Sequence, residues 1–139
     1  MKEITLYVSG SKGNPKNTVY PTAVHISDVA VFRTAMQRDH VCAKYRDNRR
    51  SEKNFEYSDC IAMDCDNDHS DDPNAWKTPA DVAAAFPNVE FYVAYSRNHL
   101  KDKNGKAARP KFHAYFPIER VTDAKRCAAM KHIDIASIG

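Results

Sequence analysis

One segment constrains this chain more than any other: the apolar run Ile61-Ala62-Met63, which acquires two carboxylates, Asp64 and Asp66, as it ends. Its length and polar flanks, from Asp59 to Asp66, read as a buried strand. Side chains alternate along a strand, so residues two apart share a face and both acids point the same way. Like charges so close raise one carboxyl's pKa unless a cation stands between them. A hard divalent ion removes that cost, and Mg²⁺ or Mn²⁺ is commonly held by one or two carboxylates together with substrate phosphates. The plain alternative is a polar strand end running into an acidic turn. A calcium loop fails: Asp64, Asp66 and Asp68 repeat its odd-position spacing, but the places that need Gly and Glu hold His69 and Ala75.

Charge is unevenly spread around this segment. The net charge is only +3 over 139 residues, yet Lys44, Arg46, Arg49, Arg50 and Lys53 precede it. Arg97, Lys101, Lys103, Lys106, Arg109 and Lys111 follow, and Asp64, Asp66, Asp68, Asp71 and Asp72 lie between with no Lys or Arg among them. An acidic pocket flanked by cations suits a metal-dependent enzyme acting on a polyphosphate or nucleic acid; solvated loops are the alternative.

The rest of the chain supplies the frame. Lys2 to Val8 reads as a strand, ended by the turn-prone run Ser9 to Asn17. Ser27 or Asp28 caps a helix to about Arg38, with Val29, Phe32, Ala35 and Met36 as its apolar stripe. Thr78, Pro79 and Asp81 start a helix that Pro87 stops. Val89 to Tyr95 and Lys111 to Ile118 are strands joined as a hairpin through the polar loop Arg97 to Pro110, centred on Asn104-Gly105. Thr122 or Asp123 caps a last helix presenting Ala124, Cys127, Ala128 and Lys131 on one face. The order β, α, β, α, β, β, α implies an α+β domain over residues 1–139, its mixed or antiparallel sheet covered by helices on one face. The abrupt end after a helix reads as the N-terminal part of something longer.

His113 sits in the second of those hairpin strands, in Lys111-Phe112-His113-Ala114-Tyr115-Phe116, and shares a face with Lys111 and Tyr115. An imidazole beside an ammonium on a sheet surface can bind a triphosphate; a histidine satisfied by backbone at a sheet edge is the bland alternative. The cysteines, Cys42, Cys60, Cys65 and Cys127, contain no CxxC pair and show no ligand spacing with the histidines, which argues against zinc. No apolar run approaches the roughly 20 residues that span a bilayer, and no signal peptide opens the chain. The expected location is the cytoplasm, without a membrane.

Taken together, Met63-Asp64-Cys65-Asp66, the following helix, Tyr95-Ser96-Arg97 and Lys111-Phe112-His113-Ala114-Tyr115-Phe116 resemble the first two motifs of the archaeo-eukaryotic primase superfamily. The closest likeness is to primase-polymerases of phages, plasmids and integrated elements, and it runs from about Asp59 to Ile118. The resemblance implies an RNA-recognition-motif-like catalytic core and a nucleotidyl transferase in DNA replication. Asp64 and Asp66 become ligands of Mg²⁺ or Mn²⁺, and His113 contacts the phosphates of a nucleoside triphosphate. The second motif usually has a small residue two places before its histidine, where this chain has Lys111, so either Lys111 or Ser96, with Arg97, takes that nucleotide-binding place. Arg49, Arg50, Lys101, Lys103 and Arg109 would bind a single-stranded DNA template, and a fused or separate helicase is an implied partner. A third metal-binding acid is expected further on, with Ile133-Asp134 as the available match. A metal-dependent nuclease and a non-catalytic nucleic-acid-binding replication module are the competing readings.

Overall fold

The computed structural model describes residues 2–102 and 105–131. Its elements in chain order are β1 (Ile4–Val8), β2 (Thr22–Ile26), α1 (Val29–Ala35), β3 (His40–Val41), β4 (Ala43–Tyr45), β5 (Phe55–Cys65), α2 (Pro79–Ala85), β6 (Tyr92–Tyr95), β7 (Phe112–Val121) and α3 (Ala124–Lys131). They build an α+β fold with two antiparallel sheets, a three-stranded one ordered β2-β1-β3 and a four-stranded one ordered β4-β5-β7-β6.

Local chemistry accounts for the helix starts. The Asp28 carboxylate accepts the Val31 N–H at 2.9 Å, satisfying a donor that the first turn of α1 would otherwise leave bare. At α2, Thr78 Oγ1 accepts from Asp81 N and the Asp81 carboxylate accepts from Thr78 N at 2.7 Å, a reciprocal box with Pro79 behind it. Asp123 accepts the Lys125 N–H and so opens α3.

The expectation of one sheet with helices on a single face needs correction, because β5 and β7 are apolar on both faces and both faces must be covered. Ile61, Met63 and Cys65 of β5, with Phe112, Ala114 and Phe116 of β7, pack against Val82 of α2 and Cys127 of α3. On the opposite face Cys60, Tyr92 and Tyr115 meet Ile4, Leu6 and Val8 of β1, Ile26 of β2, and Phe32 and Ala35 of α1. Phe32 stacks on Tyr92 at 4.8 Å and meets Tyr115 edge-on at 5.3 Å, and each such buried side chain contributes about 1.5–3 kcal/mol. Val29, expected in the apolar stripe of α1, is exposed instead. Ala128, expected on the packed face of α3, is exposed as well, while Cys127 is buried.

Among the described residues no helix is long and apolar enough to cross a membrane.

Candidate functional site

The site begins with register. β5 and β7 pair antiparallel with Asp64 directly opposite His113, and β6 places Ala94 on the other flank of the same histidine. Directly opposed residues of an antiparallel pair put their side chains on the same face, so Asp64 and His113 emerge together on the side that carries the three-stranded sheet. His113 Nε2 lies 3.4 Å from Asp64 Oδ1, and its Nδ1 lies 3.4 Å from Ser96 Oγ. Both distances exceed those of tight hydrogen bonds, so the ring is placed but retains capacity for a ligand, as is common in unliganded sites. The Asp64 side chain is 64% exposed and that of His113 40%.

Asp66 lies one residue beyond the end of β5, exposed, with Oδ1 accepting the Asp68 N–H at 2.9 Å. Between the two acids Cys65 turns into the opposite core, and burial pushes its thiol up to about 11. Two exposed carboxylates at a strand tip fit a hard divalent ion that completes its shell with substrate oxygens and water. Among the described residues no group of three or more His, Cys, Asp and Glu closes around a common point. Ile133-Asp134, the sequence candidate for a third acid, lies outside the described residues, as does Lys103.

The remaining acids of the expected pocket do something else. Lys111 Nζ donates to Asp66 O and to the Asp68 carboxylate, both at 3.0 Å, and that ammonium holds the Asp68 carboxyl below its ordinary range. Arg109, 1% exposed, donates to Asn67 O at 3.0 Å, Ser70 O at 2.9 Å and Asp71 Oδ1 at 2.9 Å, with its guanidinium 5.0 Å from the Trp76 ring centroid. Asn67, fully buried at φ 57°, donates to Lys77 O and Pro110 O and accepts from Lys77 N. These side chains staple the turn after β5 onto the loop before β7. Two expectations are corrected here. Arg109 cannot reach a nucleic acid because its donors are spent in the interior, and Lys111, though in phase with His113, is drawn away to Asp66 and Asp68.

Other cations take their place. A cleft of about 520 Å³ is lined by His113, Tyr115, Ser96, Arg97, Arg50 and Lys12 among others, with no described carboxylate in its wall. An adjoining recess of about 490 Å³ shares Lys12, Arg50 and Arg97 and adds Arg38 and Asp39. Asp39 is committed locally: its carboxylate accepts from Gly13 N at 2.7 Å, Asn14 N at 2.8 Å and Ser11 Oγ at 3.1 Å, and those backbone donors hold its carboxyl below the usual range. It thereby folds the loop after β1 so that Gly13, at φ 73°, comes close to Arg97; a Cβ there would stand 3.3 Å from Arg97 Nη2. At the cleft wall His40 Nδ1 faces Arg38 O at 3.0 Å and must donate to it, so Nε2 accepts the Tyr115 O–H at 2.8 Å. Burial keeps that imidazole neutral and the phenol protonated.

Of the residues named from sequence, the fold gathers His113, Ser96, Arg97 and Arg50 in the cleft wall, with Asp64 beside His113 and Asp66 one residue past the strand end; Lys12, Arg38, His40 and Asn67 were not named as site residues. Lys12 lay in a stretch that reads only as a turn, and the signal for Asn67 was its position after the strand, where asparagine tolerates a left-handed backbone. Arg49 is exposed but donates to Thr18 Oγ1 at 3.1 Å and does not line the cleft, and Lys101 is exposed on the turn after β6. Another cavity, of about 570 Å³ beside α3, carries Glu52 with Arg50 and Lys125 but no histidine and no acid pair. Comparison with protein-family models, curated proteins and solved structures returned no match.

Proposed function

We propose that this chain is the metal- and nucleotide-binding part of a nucleotidyl transferase of the primase-polymerase kind. The observation that carries the reading is the opposition of Asp64 and His113 on neighbouring strands, on one sheet face, beside a cleft whose wall is cationic. The four-stranded antiparallel order β4-β5-β7-β6, with the acids at the tip of a central strand, supports the primase-polymerase core that the sequence motifs imply.

Asp64 and Asp66 would hold Mg²⁺ or Mn²⁺. When bound, the ion supplies Lewis-acid stabilisation of the charge that develops as a 3′-hydroxyl attacks an α-phosphate and pyrophosphate leaves. His113 donates a hydrogen bond to the triphosphate, and the Asp64 carboxylate and Ser96 hydroxyl on either side orient the ring. Arg97, Arg50 and Lys12 neutralise the remaining phosphate charge; guanidinium groups offer paired donors and the ammonium a point charge. Binding of this kind reads charge, not base identity.

The test is calorimetry of the wild type and His113→Ala with a deoxynucleoside triphosphate and Mn²⁺. Losing a hydrogen bond to a charged group costs about 1.5–3 kcal/mol, so affinity should fall about ten- to hundredfold while its dependence on Mn²⁺ persists. Equal affinity in the two proteins, or DNA cleavage by the wild type with Mn²⁺ and no triphosphate, would overturn the proposal.

A further inference from the structure

The three-stranded sheet ends on β2, which pairs with β1 alone. Strand phase shows which of its backbone groups face outward. On β1, Thr5 N donates to the Asp59 carboxylate at 2.9 Å, and Ser9 N, just past the strand, donates to Asp39 O at 2.9 Å. The odd-numbered residues of β1 therefore turn their backbone groups away from β2. Register sets Thr5 opposite His25 and Tyr7 opposite Ala23. In an antiparallel ladder both members of such a non-hydrogen-bonded pair face outward, so the N–H and C=O of Ala23 and His25 point off the edge of the sheet. Among the described residues those two amides donate to nothing, whereas the leftover amide on the other side of β1, that of Thr5, is capped by Asp59.

Nothing blunts this edge. Thr22-Ala23-Val24-His25-Ile26 contains no Lys, Arg, Asp, Glu or Pro and pairs with β1 without a bulge, although edge strands commonly carry such features to keep other chains from pairing with them. Thr22, Ala23 and His25 are exposed. The His25 ring is drawn back over β1, with Nδ1 3.2 Å from Thr5 Oγ1 and 3.4 Å from Glu3 Oε1, and leaves the edge clear. The strand is also complementary to itself. In an antiparallel pair centred on Val24, Ala23 of each copy faces His25 of the other, and each of these pairs exchanges two hydrogen bonds. A small side chain then meets a large one, no acids or ammonium groups oppose each other, and Val24, which packs at the rim of the core, meets Val24 of the second copy. A one-residue slip would set outward amides against inward ones. Two-residue slips would set His25 against Pro21, which has no N–H, or Ala23 against Ser27, past the strand's end.

We propose that β2 is a self-association edge, through which two copies of this chain join their three-stranded sheets into one antiparallel six-stranded sheet about a two-fold axis at Val24. Two five-residue strands bury less surface than a permanent interface does, so the association is of the transient kind, with a dissociation constant of micromolar order. The proposal is independent of the nucleotidyl-transferase reading: neither the His113 cleft nor the acids of β5 take part in it.

Sedimentation equilibrium of the full chain from about 1 to about 200 μM tests it, and the mean mass should rise toward twice that of one chain. Ala23→Pro deletes an N–H that β1 does not use, so the fold tolerates it, yet by symmetry it removes two of the four bonds between copies and should raise the dissociation constant about five- to hundredfold. Ala23→Lys, a charge on an exposed edge position, should do the same and provides a second route should the proline variant fold poorly. Oxidation with diamide reads the register. Val24→Cys places two thiols in the closely spaced cross-strand position and should give a disulfide-linked dimer. In Ala23→Cys the two sulfurs lie on a diagonal too wide for that bond, and the yield should be near that of the wild type. A wild type that stays monomeric throughout, a dimer whose constant neither Ala23→Pro nor Ala23→Lys moves, or Ala23→Cys linking as readily as Val24→Cys overturns the proposal.

Discussion

Replacing Asp64 by alanine should remove the Mn²⁺-dependent part of nucleoside triphosphate binding altogether, leaving the weak affinity that the wild type shows in chelator. The carboxylate is 64% exposed at the tip of a strand, and its neighbours Met63 and Cys65 face the other way into the core. Its loss therefore costs the fold little, within about 0.5 kcal/mol for a surface substitution of this kind. The functional cost is of another order, because Asp64 and Asp66 are the acids left at the strand tip once Asp68 and Asp71 are paired with Lys111 and Arg109. Removing one member of a close charge pair typically costs about 2–5 kcal/mol, or roughly 30-fold to more than 1000-fold in affinity. Calorimetry with and without Mn²⁺, beside a melting curve, separates the two effects. Unchanged Mn²⁺ dependence in a well-folded Asp64→Ala protein would exclude Asp64 as a ligand.

The second large effect is on stability. Arg109→Met keeps an unbranched stem but deletes the donors that satisfy Asn67 O and Ser70 O, and it breaks the guanidinium's contact with Trp76. Each buried acceptor left without a partner costs about 1–3 kcal/mol, so the variant should lose about 3 kcal/mol or more and its Tm should fall by on the order of 10 °C. Thermal unfolding followed by circular dichroism measures this, and a Tm within about two degrees of the wild type would show that the staple is dispensable. A second readout separates an interior arginine from a phosphate contact. At a temperature where the variant is folded, the salt dependence of its oligonucleotide binding should match that of the wild type, whereas a lost phosphate contact would reduce the logarithmic slope by about one.

Arg109 also marks where sequence reasoning stops. The cap at Thr78, the capping pairs Ser27/Asp28 and Thr122/Asp123 of which the fold uses the aspartates, the strands around Ile61 and Ala114, and the hairpin of β6 with β7 were legible because their signals are local: a polar cap, a period-two pattern, a turn. The pairing that matters most, Asp64 with His113, is a finding of the fold: the two motifs were placed on strands, but nothing in the sequence fixes that β5 and β7 are direct neighbours. β2, with most of its residues exposed, and the two- and three-residue strands β3 and β4 carry too little periodicity to be seen. Charge was read most poorly. Lys111 and Arg109 look like solvated members of a basic loop, yet the fold turns that loop over the acidic turn after β5 and both end up inside, each donating to backbone carbonyl oxygen and to a carboxylate. The cations that face the cleft and its adjoining recess include Lys12 and Arg38, on a loop that Asp39 folds across a long stretch of sequence. Fold-level contacts of this type depend on chain paths that no local pattern encodes.

The decisive measurement is a crystal structure of the protein soaked with Mn²⁺ and a non-hydrolysable nucleoside triphosphate. It should show the ion on the Asp64 and Asp66 carboxylates and one triphosphate in contact with the His113 ring and with Arg97 or Lys12. An ion bound instead at Asp68, Asp71 or Asp72, or a triphosphate seated away from His113, would contradict the account.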